Sequence, residues 1–179
     1  MIAAHDARAS ASRGELDDGA LLISMLPWAM SFADAPVSGF RVGAVALGAS
    51  GAAYAGGNLE FAGAPLAASV HAEQAAVANA WLHGETAIAA IGASAEPCGH
   101  CRQFLMELGD GNVAIAVPGK PVATLGELLP RAFGPRDLDV RGGLLAASNR
   151  ALSRTVDPTD ELAVAALNAA EASYAPYTG

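Results

Sequence analysis

Two cysteines in 179 residues are too few for a disulfide framework. If both serve a metal, none is left to cross-link, and a reducing cytoplasm is the natural setting. Cations are scarce as well. Ten Lys and Arg stand against 18 Asp and Glu, for a net charge of −8. The ten form no run, so the long basic track that a nucleic-acid partner needs is absent. No stretch of 18 apolar residues is free of charge or proline, so no transmembrane segment and no membrane partner are expected. Met1 to Gly14 is rich in Ala, Ser and Arg and has no apolar core of signal-peptide length. Arg8 and Arg13 suit a mitochondrial presequence. Asp6 and the shortness of the segment favour the other reading, a flexible tail over 1–14.

Hydrophobic residues make up 53% of the chain, enough for a substantial core. The length suits one ordinary domain, or one domain plus a fragment. Asp17 to Ala33 carries Leu21, Leu22, Met25, Leu26, Ala29 and Phe32 near one stripe, a helical pattern with Pro27 inside it. Phe40–Leu47 and Ala52–Leu59 read as strands joined by a turn at Gly48–Gly51. Gly56-Gly57 marks a bulge or a close backbone approach. Asn58 and Glu60 follow at the strand end, two apart and on one side. Ser69 is the expected N-cap of a helix over Val70–His83. Its middle is apolar on nearly all sides, which predicts burial all round. Thr86–Ala95 is the pattern of a central strand. A helix over Cys98–Leu108, a strand over Val113–Val117 and a short helix over Thr124–Leu129 complete the series. This alternation predicts an α/β fold, a three-layer α/β/α domain with a mixed sheet.

The chemistry is concentrated in Val70 to Cys101. His71-Ala72-Glu73 opens one predicted helix, and Pro97-Cys98-Gly-His-Cys101 opens the next. Zinc favours imidazole and thiolate, and a catalytic site uses three protein ligands and keeps one position open. His71, Cys98 and Cys101 make three. Cys98 and Cys101, three apart on a first helical turn, share a face, and a helix N-terminus favours thiolate. Glu73 is then a carboxylate beside the metal that need not be a ligand. His100 is expected near the site or at the surface rather than as a fourth ligand, which would close the open position. A lone C-x-x-C also suits a redox pair or half of a structural site, and a lone H-x-E suits any solvated helix. Two cysteines cannot make a four-Cys site.

The pattern H-x-E…P-C-x-x-C resembles the known signature of zinc deaminases. Zinc lowers the pKa of water from about 15.7 to roughly 7, and a carboxylate placed like Glu73 can move the proton. Around the motif, the segments SGFRVGAVA, GGNLEFAGA, VHAEQAAVANAWLHGE, PCGHCRQFLMEL and FGPRDLDV resemble cytidine deaminases in their long bacterial form, in which a non-catalytic copy follows the catalytic domain. The resemblance covers roughly Leu21 to Val140. It implies one Zn2+ on His71, Cys98 and Cys101, with Glu73 as the proton shuttle. It implies a nucleoside substrate held by Phe40, Asn58, Glu60, the Ala72 backbone and the Glu96 carbonyl. A charged Glu at position 96 departs from the expected residue. The family also implies a homodimer with active sites near subunit interfaces, and cytoplasmic pyrimidine salvage.

The C-terminus echoes the N-terminal half. Ser173 to Gly179 (SYAPYTG) resembles Ser31 to Gly39 (SFADAPVSG) with a two-residue gap, and each follows an Ala-rich helix. The expected organisation is therefore a tail (1–14), a zinc-dependent deaminase domain (15–140), a linker (141–157) and the opening helix of a truncated second deaminase-like domain (158–179). The expected reaction is hydrolysis of cytidine and 2′-deoxycytidine to uridine and 2′-deoxyuridine with release of ammonia. Two rivals stay open here. One is a deaminase of another base or of a nucleic acid. The other is a zinc-binding fragment that is inactive without its second domain.

Overall fold

The computed structural model describes residues 5–6, 18–109, 111–140, 142–146, 157 and 159–174. Most of the expected tail, most of the expected linker and residues 175–179 of the terminal echo lie outside them. In chain order the elements are β1 (His5–Asp6), α1 (Asp18–Met30), β2 (Gly43–Gly48), β3 (Ala52–Gly57), α2 (Ala72–Leu82), β4 (Ile88–Ala93), α3 (Gly99–Met106), β5 (Ala114–Ala116), β6 (Ala123–Thr124), α4 (Leu125–Leu128) and α5 (Glu161–Glu171). The strands form one sheet in the order β1-β3-β2-β4-β5-β6. All neighbours are antiparallel except β4 and β5, which α3 connects in parallel. The sheet is mixed, as expected.

Each face of the sheet buries its own cluster. On one side Leu21, Leu22, Leu26 and Ala29 of α1 pack on Val45, Leu47, Ala53, Ala55 and Ala90. On the other, Ala76, Val77 and Ala80 of α2 and Leu105 of α3 pack on Ala44, Ala46, Tyr54, Ile88 and Ile91. That is the three-layer α/β/α arrangement. Small residues let the layers approach closely. A Cβ on Gly56 would lie 2.3 Å from the Ala76 nitrogen and 2.4 Å from the Ala72 oxygen, and one on Gly57 would lie 2.5 Å from the Ala33 nitrogen. The Gly-Gly pair is thus a close approach on both faces. β2 and β3 keep a regular register through it, without a bulge.

The structure corrects several boundaries. α1 ends at Met30 and runs through Pro27. β2 begins at Gly43 rather than Phe40, and β3 ends at Gly57 rather than Leu59. α2 does not start at Val70 with Ser69 as its cap. Val70 exchanges two backbone hydrogen bonds with Leu59, each 2.9 Å, which holds the chain extended. His71 becomes the N-cap, with φ −84° and ψ 155°. β4 spans Ile88–Ala93 only. In the next motif Cys98 is the N-cap and α3 ends at Met106. β5 and α4 are likewise shorter than expected, and Thr124 caps α4 from outside it.

The expected burial of α2 on all sides is also corrected. Trp81 is 50% exposed and Leu82 74%, because α2 meets the sheet and α3 on one flank and no described element covers the other. At the chain end α5 is capped by Asp160, which accepts from the Leu162 and Ala163 amides, and buries none of its residues. Tyr174 after it donates to Glu107 Oε2 at 2.8 Å. No helix among the described residues is long and apolar enough to cross a membrane.

Candidate metal centre and adjoining pocket

Two helix N-termini converge at one end of the central strands, α2 following β3 and α3 following β4. His71 caps α2 and Cys98 caps α3, while Cys101 sits in the first turn of α3. Pro97 precedes the cap and lies outside α3, where its missing amide costs no helical hydrogen bond. The His71 Nδ1 lies 3.2 Å from the Cys101 Sγ and 3.4 Å from the Cys98 Sγ. All three ligand atoms fall within 4.8 Å of one another. A tetrahedral zinc with Zn–N near 2.0 Å and Zn–S near 2.3 Å places N and S about 3.5 Å apart, so the trio fits that ion. No other group of three metal-ligating side chains occurs among the described residues.

The three ligands differ in exposure. Cys98 is exposed and Cys101 fully buried. Burial pushes the Cys101 thiol far above its ordinary pKa, and the neighbouring Glu73 carboxylate and Cys98 add to the shift. A cation reverses that balance, because a coordinated thiol gives up its proton. Glu73 is itself 3% exposed on the first turn of α2 and touches Cys101. A buried carboxylate beside two sulfur ligands has a clear use only if a positive charge sits between them.

A pocket of about 290 Å³ opens beside this group. Its walls include all the residues expected to read a nucleoside: Phe40, Asn58, Glu60, Ala72 and Glu96. The structure also shows how they are held. Val42 N–H donates to Asn58 Oδ1 at 2.8 Å, and Asn58 Nδ2 donates to the Phe40 carbonyl at 2.9 Å. One amide N–H of Asn58 remains. Glu60 accepts from the Val37 and Ser38 amides, at 2.9 and 2.8 Å, and from the Ser38 hydroxyl. These bonds, the Ser38 hydroxyl first, hold its carboxyl below the usual range although burial opposes them. Asn58 and Glu60 are locked in place by Leu59, which bridges Asp34 on one side and Val70 on the other. The Val70 bridge ties this pair directly to His71. Phe40, 63% exposed, stands at the rim.

Four further residues shape the site, and of these the sequence anticipated only His100, near the site or at the surface. Ser38, inside an apparent turn cluster, braces Glu60 and accepts from the Phe40 amide at 2.9 Å. Arg102 donates through Nε to the Pro97 carbonyl at 2.7 Å and through Nη1 to the Leu128 carbonyl at 2.8 Å. Its Nη2 lies 3.8 Å from Glu96, so the unexpected acid has a cationic neighbour. Gln74 accepts from His71 N–H at 2.9 Å and reaches His100 at 3.0 Å. His100, placed beside the site as expected, holds its ring centroid 5.4 Å from that of His71, tilted by 56°. Only Gln74 left a local trace in the sequence: Gln three residues after an N-cap is half of a capping box.

Comparison with known proteins agrees with this geometry. Residues 17–117 match the family model described as the cytidine and deoxycytidylate deaminase zinc-binding region, and residues 125–179 match a second model of the same description. Over 179 residues the chain is 48% identical to a cytidine deaminase of Serratia proteamaculans and 46% identical to one of Proteus mirabilis. In both cases the match takes 99% of this chain and 60% of the relative, so the chain spans about 60% of the length of these curated relatives. Among solved structures, a cytidine deaminase from Mycobacterium tuberculosis is 33% identical with a TM-score of 0.61, covering 66% of this chain and 99% of that one. A cytidine deaminase from Burkholderia pseudomallei is 32% identical with a TM-score of 0.58, covering 66% of this chain and all of that one. The ion that His71, Cys98 and Cys101 suit is accordingly zinc. With more than half of its length inside the first model, the chain belongs to the cytidine and deoxycytidylate deaminase zinc-binding family.

Proposed function

We propose that this chain carries the site of a cytidine deaminase, which hydrolyses cytidine and 2′-deoxycytidine to uridine and 2′-deoxyuridine and releases ammonia. The observation that carries the reading is the placement of Glu73, buried against the metal group at the wall of a pocket that also holds Asn58 and Glu60. His71, Cys98 and Cys101 hold the zinc. Bound zinc supplies a water-derived nucleophile at neutral pH. Glu73 would carry two protons in turn: one from that water to the ring nitrogen, and a second from the hydroxyl added to the ring carbon to the amine, which leaves as ammonia as the new carbonyl forms. The Ala72 backbone meets the base carbonyl, and the Glu96 carbonyl faces the departing amine. Asn58 offers an N–H and Glu60 a carboxylate oxygen side by side, a donor and an acceptor that suit a sugar hydroxyl. Phe40 covers the nucleoside at the rim.

Several features support a free nucleoside over a polymer. No Lys or Arg is among the described residues lining the pocket, and the chain carries a net charge of −8. A phosphate backbone would meet Glu60 and Glu96 instead of cations. We further propose a cytoplasmic homodimer serving pyrimidine salvage, with a catalytic domain over 15–140 and a second deaminase-like unit opening at 158–179. Competition tests the substrate class. Free cytidine should be deaminated, and a cytosine-containing oligonucleotide should neither be deaminated nor inhibit. Preferential turnover of the oligonucleotide would reject the reading.

A further inference from the structure

In an ordinary capping box the N-cap side chain accepts from the amide three residues on, while that residue's side chain accepts from the N-cap amide. At the start of α2 only the second half can operate. The His71 imidazole has turned its Nδ1 to the two sulfurs and makes no capping bond. Gln74 keeps the remaining half, its Oε1 accepting from His71 N–H at 2.9 Å. That bond settles the orientation of the amide, because a backbone N–H needs the oxygen. The Gln74 NH2 therefore points the other way, 3.0 Å from His100 Nε2. It can only donate, so His100 Nε2 must accept. His100 lies between the two cysteines on the first turn of α3, and its ring rests 5.4 Å from that of His71. One side chain thus joins the backbone of the nitrogen ligand to the turn that carries both sulfur ligands.

We propose that Gln74, acting through His100, is a positioning residue that sets the separation between His71 and the Cys98–Cys101 pair. The inference rests on the zinc reading of the site. The pair bridges α2 and α3, which also meet through packing, the contact of Glu73 with Cys101 and the His71–cysteine group. Without it, His71 and the cysteines sit on elements free to drift by the small amounts that metal geometry punishes. Residues that orient ligands in this way typically change metal affinity by about 10–100-fold when removed.

The test is zinc affinity of the 179-residue chain, measured by chelator competition, for Gln74→Leu, His100→Phe and the double variant. Phe keeps a ring beside His71 and removes the acceptor. Each single variant should weaken zinc binding by about 10–100-fold. The double variant should be no weaker than the worse single one, since both remove the same bridge. The visible absorption of the cobalt-loaded variants should shift as the ligand geometry relaxes. A merely structural Gln74 would lower the melting temperature of the metal-free chain and leave affinity and cobalt spectrum alone. Affinities within twofold of the unmodified chain, loss in one single variant only, or losses that multiply in the double variant would each overturn the proposal. If Gln74→Leu does not fold, His100→Phe decides alone. An unmodified chain that binds no zinc defeats both this inference and the proposed function. Zinc binding without cytidine turnover defeats only the latter.

Discussion

Glu73 and Cys101 share one small buried space, and their roles separate on mutation. Replacing Glu73 by Gln keeps the size of the side chain and removes its capacity to carry a proton. Zinc content should stay the same, while cytidine turnover falls by about 10²–10⁴-fold, the usual worth of general acid–base help. Loss of zinc in parallel with activity would mean that Glu73 is a ligand. Glu60 behaves differently. Its carboxyl is held down by the Ser38 hydroxyl and amide, against burial, with the Val37 amide helping. A depressed folded-state pKa contributes stability that is fully present above the unfolded value, near 4.3, and is lost as pH falls through the folded value. The Val37 and Ser38 amides should therefore resist hydrogen exchange from pH 7 down to about 4.3 and become labile only below it. Protection already lost at pH 6 would contradict this. Ser38→Ala should raise KM for the nucleoside without changing zinc content.

At the scale of elements, the site depends on how closely α2 lies on β3 and how firmly α3 is tied to its neighbours. Gly56→Ala would drive a Cβ to 2.3 Å from backbone, and no side-chain rotation relieves that. Overpacking of this kind costs about 1–3 kcal/mol, to be read as a lower denaturation midpoint. Arg102→Met keeps bulk and strips the Pro97 and Leu128 carbonyls of their donor. It should cost about 1–3 kcal/mol and loosen the turn that presents Cys98. The sequence announces the elements themselves well, since strands and helices declare their period, and it announces the ligands, since zinc accepts few residue types. It does not announce where α2 begins. The Leu59–Val70 bridge that moves the start to Ala72 is a tertiary event, with no trace in the local pattern around Ser69. Arg102 and Ser38 were opaque for the same reason. Each bonds a group many residues away or hidden in a turn, and such contacts leave no periodicity. Trp81 and Leu82 show the opposite error. An apolar helix face states a preference for burial, and no described element meets it.

At the scale of the whole molecule, the sheet separates two jobs. One face and its helix α1 form a small, closed cluster. The other carries α2 and α3, whose first turns hold the proposed chemistry at one end of the central strands. The chain matches relatives over about 60% of their length, so the central claim is best tested on this chain directly. The measurement is zinc content, together with conversion of cytidine to uridine, for the purified chain and for Cys98→Ser. The account predicts about one zinc per chain, cytidine conversion with ammonia release, and the loss of both zinc and conversion in Cys98→Ser. A chain that binds no zinc, or a Cys98→Ser variant that keeps its zinc and activity in full, would contradict it.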